Sequence, residues 1–158
     1  MGTKNSDLVA NFEATYTMSD AGLLTGTTRI AQGTVELAAG DSDNDDIVML
    51  APIPTHASIT SLKIASDTLG GSCTFNVGLY TSAGVVKDED CFATAVADAG
   101  AMADVRFEAA DINTCGQKVY TIAGDSTDPG GHYYVAATMA AAGGTIGTMS
   151  FIIEYVIN

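Results

Sequence analysis

Positive charge is what this sequence has least of. Six of its 158 residues are Lys or Arg against 19 Asp and Glu, a formal net charge of −13, and Arg29 and Arg106 are its only guanidinium groups. A nucleic-acid binder needs clustered Lys and Arg to neutralise phosphates and release counterions, and no such cluster is present. Anionic membrane surfaces are disfavoured for the same reason. The expectation is therefore no nucleic-acid partner and no membrane partner. The carboxylate excess favours solubility and a cationic or metal-bearing partner. Trp is absent, which removes the usual stacking platform of a sugar-binding module. Tyr133 and Tyr134 would point to opposite faces of a strand, so the aromatic rings are read as packing.

Cysteine is scarce as well. Cys73, Cys91 and Cys115 are odd in number and show no CxxC spacing, which fits neither a disulfide framework nor a zinc site. They are expected to be small, reduced, part-buried side chains. No stretch approaches the roughly 18 apolar residues of a membrane span. The opening MGTKNSDLVANFEA lacks the apolar core of a secretory signal, so synthesis in a reducing cytoplasm is expected.

Catalytic patterns are missing too. His56 and His132 are the only imidazoles. Cys115 or a serine can be assembled on paper with His132 and Asp128, but no nucleophile elbow or papain-like signature surrounds them. There is no Walker lysine motif, and the Gly-Gly pairs are turn glycines rather than a GxGxxG between strand and helix. The expectation is no catalytic residue, no enzyme activity and no cofactor. Asp41-Ser-Asp-Asn-Asp-Asp46 invites a calcium reading, since carboxylates at alternate positions can wrap a hard cation. An EF-hand needs Gly at the sixth position and Glu at the twelfth; here Asp46 and Pro52 stand there. A solvated acidic turn is expected, with no metal site.

What is present is a period of two. Phe75, Val77 and Leu79 share one face of a run opening at Cys73, with Thr74, Asn76, Gly78 and Tyr80 on the other. Met149, Phe151, Ile153, Tyr155 and Ile157 alternate in the same way along the C-terminal run. Its second face is partly apolar, which predicts a central strand or one covered by a neighbouring subunit. Further strands are predicted at Thr28–Ala38, Asp46–Ile53, Ser58–Ala65, Ala103–Glu108, Gln117–Ala123 and Gly131–Met139. The separators are rich in Gly, Asp, Asn, Ser and Pro, as turns require. The one helix predicted is a short turn or two at Asp88–Ala97. About eight short strands at this spacing indicate an all-β antiparallel sandwich, with the jelly roll preferred. A chain of this length makes one domain, and 47% hydrophobic residues suffice for a core without staples.

Residues 1–26 differ from the rest: they alternate poorly and carry isolated apolar points. They are read as an extended N-terminal arm, and 27–158 as the β-sandwich domain. Such an arm is either disordered alone or ordered along a partner surface. In the second case Leu8, Val9, Phe12 and Tyr16 are the candidate partner-binding residues.

The order of segments carries a resemblance. Asp7-Leu-Val-Ala-Asn-Phe-Glu13 is followed by Arg29-Ile-Ala-Gln-Gly-Thr-Val-Glu-Leu37. The acidic turn then leads into Ile47-Val-Met-Leu-Ala-Pro-Ile-Pro54. Ala57-Ser-Ile-Thr-Ser-Leu62 precedes Asn76-Val-Gly-Leu-Tyr80, and Gly143-Gly-Thr-Ile146 leads into the last strand. Over roughly residues 7–156 this resembles the capsid decoration, or cement, proteins of tailed bacteriophages. The resemblance implies a jelly-roll body that binds the outside of a capsid and reinforces contacts between capsomers. It implies the major capsid protein as partner, assembly as a dimer or trimer, synthesis in the host bacterial cytoplasm and a place on the virion. The alternative from another class is a receptor- or glycan-binding β-sandwich of a tail fibre or adhesin. A decoration protein would bind empty capsid lattices and ignore glycans, and a receptor module would do the reverse.

Overall fold

Alternating runs fold as strands because one set of side chains can be buried while the other stays toward water. A computed structural model describes residues 27–70, 72–98 and 100–157. Its strands are β1 Thr28–Leu37, β2 Ile47–Pro54, β3 Ala57–Ser66, β4 Thr74–Tyr80, β5 Val86–Ala97, β6 Ala103–Asp104, β7 His132–Ala141 and β8 Gly147–Ile157. Between β6 and β7 lie a 3-10 turn, Ile112–Gly116, and a four-residue helix, α1, Val119–Ile122. The strands form two four-stranded sheets, β1-β8-β3-β6 and β2-β7-β4-β5, and every pair is antiparallel. That order is the doubled Greek key of a jelly roll. The all-β sandwich expected from the period of two is therefore the observed fold.

The core lies between the sheets. Ile59, Leu62 and Ile153 from one sheet and Ile53, Val77, Leu79, Phe92 and Val135 from the other are fully enclosed. β8 sits between β1 and β3, which accounts for its partly apolar second face. Its register with β1 runs unbroken from Thr28↔Val156 to Leu37↔Gly147.

Three local expectations were wrong. Asp88–Ala97 is not a helix but most of β5. Its pairing with β4 shifts register three times, and those irregularities erase the alternation by which a strand is recognised. Gln117–Ala123 is not a strand. Lys118 stands at the N-cap position of the single turn α1 without a side-chain capping bond, Val119 is buried, and the Tyr120 N–H donates to the Thr55 carbonyl at 2.9 Å. One helical turn is too short to show a period of 3.6, so its β-branched and aromatic residues read as strand. Ala103–Glu108 pairs for only two residues, Lys63↔Asp104 and Ile64↔Ala103. There the Asp104 carboxylate accepts from the Leu62 N–H (3.2 Å) and the Ser61 hydroxyl (2.6 Å), and the chain turns away from the ladder.

Candidate partner-binding surface

The candidate anchors Leu8, Val9, Phe12 and Tyr16 lie outside the described residues, as does the whole segment 1–26. The described chain begins at Thr27, directly before β1, so that segment joins the sandwich at an outer strand of the β1-β8-β3-β6 sheet.

The side of the sandwich formed by β1 and β2 has an open character. Both are end strands of their sheets: β1 is paired to β8 and β2 to β7 among the described residues. An end strand leaves one row of backbone N–H and C=O groups without a ladder partner. β2 carries Pro52 and Pro54 in its second half, where they cannot donate and blunt the edge. Its first half and the second half of β1 hold no proline. Between these halves runs a groove of about 320 Å³, room for roughly ten waters' share of liquid volume. It is lined by Val35, Glu36 and Leu37 of β1, Asp46 of the acidic turn, and Ile47 and Met49 of β2. Ile47 is 41% exposed. No Lys or Arg lines it among the described residues.

The acidic turn closes this groove at one end. Two of its four carboxylates are engaged with backbone: Asp41 accepts from the Ala38 N–H and Asp46 from the Asp43 N–H, each at 2.9 Å. Ser42 is fully buried; its hydroxyl accepts from the Gly144 N–H at 3.0 Å, tying the turn to the loop before β8. Asp45 holds a left-handed φ of 68°, a conformation that Asp tolerates better than most residues. Turn geometry thus employs Asp41, Asp45 and Asp46 of the acidic string.

The residues weighed for catalysis sit in different settings. Asp128 Oδ1 accepts from the Thr55 hydroxyl (2.5 Å) and the Gly130 N–H (2.8 Å), and these hydrogen bonds hold its carboxyl below the usual range. His132 is exposed at the start of β7. Cys115 is half-buried in the 3-10 turn, and burial pushes its thiol up. Burial raises Cys73, with Asp98 adding to it, and raises Cys91 far more, with Asp88 adding. All three cysteines are free, and raised thiols hold little of the reactive thiolate.

A buried cation that sequence reading missed stands beside them. Arg106 is 1% exposed. Its Nε donates to the Ile59 carbonyl (2.9 Å) and Nη2 to that of Thr114 (3.2 Å). Its guanidinium lies 5.0 Å from the Phe92 ring centre and 4.6 Å from that of Phe107. No carboxylate pairs with it among the described residues, and burial lowers its pKa. The side chain bolts the long β6–β7 connection to β3, so its role is architectural.

No family model matches the sequence, and no curated protein matches it. Chains of two phage capsids share its fold. A chain of the capsid of Ralstonia phage GP4 superimposes with a TM-score of 0.56 at 18% identity, over 84% of this chain and 86% of that one. A chain of the cyanophage Pam1 capsid asymmetric unit gives 0.50 at 14% identity, over 100% of both. At such identities the common property is the fold. The coverage also means that each phage chain is close to this one in length, and is matched nearly whole rather than as one part of a larger shell subunit.

Proposed function

We propose that this chain is a structural protein of a phage virion, a decoration or cement protein that seats on the outer surface of the capsid and stabilises contacts between capsomers. The observation that carries the reading is agreement in fold, over 84% and 100% of this chain, with chains of similar length from two phage capsids. The physical character of the molecule supports it. Two interlocked sheets with a fully enclosed core make a rigid body, and its buried polar groups tie loops to strands. A charge of −13 keeps such a body soluble before assembly and away from DNA. Its partner is the major capsid protein, and a dimer or trimer of the chain would make attachment multivalent, raising effective affinity without new contacts.

In this reading the sandwich is the platform and segment 1–26 contributes to attachment through Leu8, Val9, Phe12 and Tyr16. Mixing the full-length protein with empty shells of its source phage and reconstructing them by cryo-electron microscopy tests the proposal. Added density should appear on the outside, at positions repeating with the shell's symmetry. Bare shells at saturating protein would reject it.

A further inference from the structure

We infer that the groove along the β1–β2 side receives an extended, basic segment of a partner protein. Three independent features converge there. Both flanking strands are end strands, and the halves that line the groove are free of the prolines that blunt the rest of β2. Free edges accept an added strand through backbone hydrogen bonds, with side-chain pockets setting specificity. The walls mix polar surface with apolar side chains, of which Ile47 is 41% exposed and Met49 partly so. The groove's charged lining is acidic, Glu36, Asp41 and Asp46, with no basic residue among the described residues; Glu36 also accepts from the Thr148 hydroxyl at 3.1 Å.

Charge decides the occupant. Segment 1–26 holds one cation, Lys4, against Asp7, Glu13 and Asp20, so the chain's own arm would be repelled by the acidic lining. A second copy has little more to offer: Arg106 and the ammonium of Lys118 are buried, Lys63 and Lys87 are each paired with a carboxylate, and the exposed Arg29 is a single cation on a strand that also carries Glu36. A different protein, supplying Lys or Arg alternating with apolar residues, satisfies the apolar and the acidic lining together. This inference rests on the virion reading for the partner's identity, which would then be a capsid subunit. The groove's preference can be tested without it.

The full-length protein, labelled with nitrogen-15, is titrated with the blocked peptide Lys-Val-Lys-Val-Lys-Val and with its counterpart bearing Glu for Lys. The expected result is amide shifts concentrated at Val35–Leu37 and Ile47–Met49 for the lysine peptide alone. They should weaken several-fold between about 0.05 and 0.5 M salt, as screening demands. No shifts up to about 1 mM peptide, the weak end of specific binding, would overturn the inference. Equal shifts at other acidic loops, such as Asp125–Asp128, would overturn it too. The double substitution Glu36→Lys and Ile47→Lys should abolish the shifts while leaving the melting transition in place. Glu36→Gln, gentler on folding, should weaken them in the same direction; unchanged binding in Glu36→Gln and in a folded double variant would reject the site. Shell occupancy separates the two proposals. If the wild type and the folded double variant coat shells equally, the groove is not the interface and the virion reading stands. If the wild type leaves shells bare, the virion reading falls and the peptide titration still decides the groove.

Discussion

Arg106 heads the fully buried side chains by volume. Its replacement by Met would leave the Ile59 and Thr114 carbonyls without their donor and remove the cation from between Phe92 and Phe107. Loss of a buried charged donor costs about 2–4 kcal/mol, and urea denaturation of Arg106→Met should show a drop of that order. Nothing in the sequence marked this arginine as internal, because Arg is nearly always exposed and its burial depends on contacts far along the chain. Asp125 supports a second prediction. The ammonium of Lys87 (2.8 Å) and then the Tyr133 hydroxyl hold its carboxyl below the usual range, and the same hydrogen bond raises Lys87. The stability Asp125 lends is complete above the ordinary carboxylate pKa and disappears as pH falls through its lower folded value. For Lys87 the contribution is complete below the ordinary ammonium pKa and is lost as pH rises through its higher folded value. Asp125→Asn should therefore flatten both limbs of the melting temperature against pH. An unchanged profile would mean that solvent screens the pair completely.

At the scale of the element, β8 was readable because it keeps its alternation against the unbroken register of β1, and β4 because Phe75, Val77 and Leu79 alternate into the core. β5 was not readable, since its shape is dictated by β4. Gly78 shows how: a Cβ there would overlap the Asp88 carbonyl oxygen and the Glu89 backbone, so β5 lies directly across it. Asn76 fastens the crossing, donating to Glu89 Oε1 at 2.8 Å and accepting from the Ala95 N–H at 2.9 Å. Gly33, on the outer strand β1, is a useful contrast. Its added Cβ meets the tip of the Phe151 ring at 2.9 Å, a side chain rather than backbone. Gly78→Ala should therefore cost about 3 kcal/mol or more, the upper range for overpacking, because backbone must move. Gly33→Ala should cost about 1 kcal/mol or less, as the ring tilts. Chemical denaturation of the two variants side by side checks the ordering, and equal losses would contradict the crossing of β5 over Gly78.

For the whole molecule, strand number and turn composition were enough to indicate a two-sheet sandwich. Which strand lies beside which was not legible, because pairing joins residues remote in sequence and leaves no local mark. The β1–β2 groove was hidden for that reason: end-strand status is a property of the completed sheet, although Ile47 directly after the acidic turn was a visible hint. The arm's role can be tested at this scale. Deleting residues 1–25 is expected to leave a β-type circular dichroism spectrum and a cooperative melt, with shell occupancy strongly reduced. Full occupancy by the truncated protein would assign attachment to the sandwich alone.

The pairing of β1 with β8 also governs the order of events during synthesis. Thr34 and Ser150, hydrogen-bonded across the two strands, are 116 residues apart. At about 5–20 residues per second on the ribosome, β1 waits roughly 6–23 s for its only described partner strand. Throughout that interval its ten residues remain an unmatched strand in a crowded cell, with Arg29 and Glu36 as the charged residues along it. Newly made chains are accordingly most vulnerable to sticking to one another before β8 emerges, and the acidic excess of the sequence acts earliest there, keeping nascent copies apart.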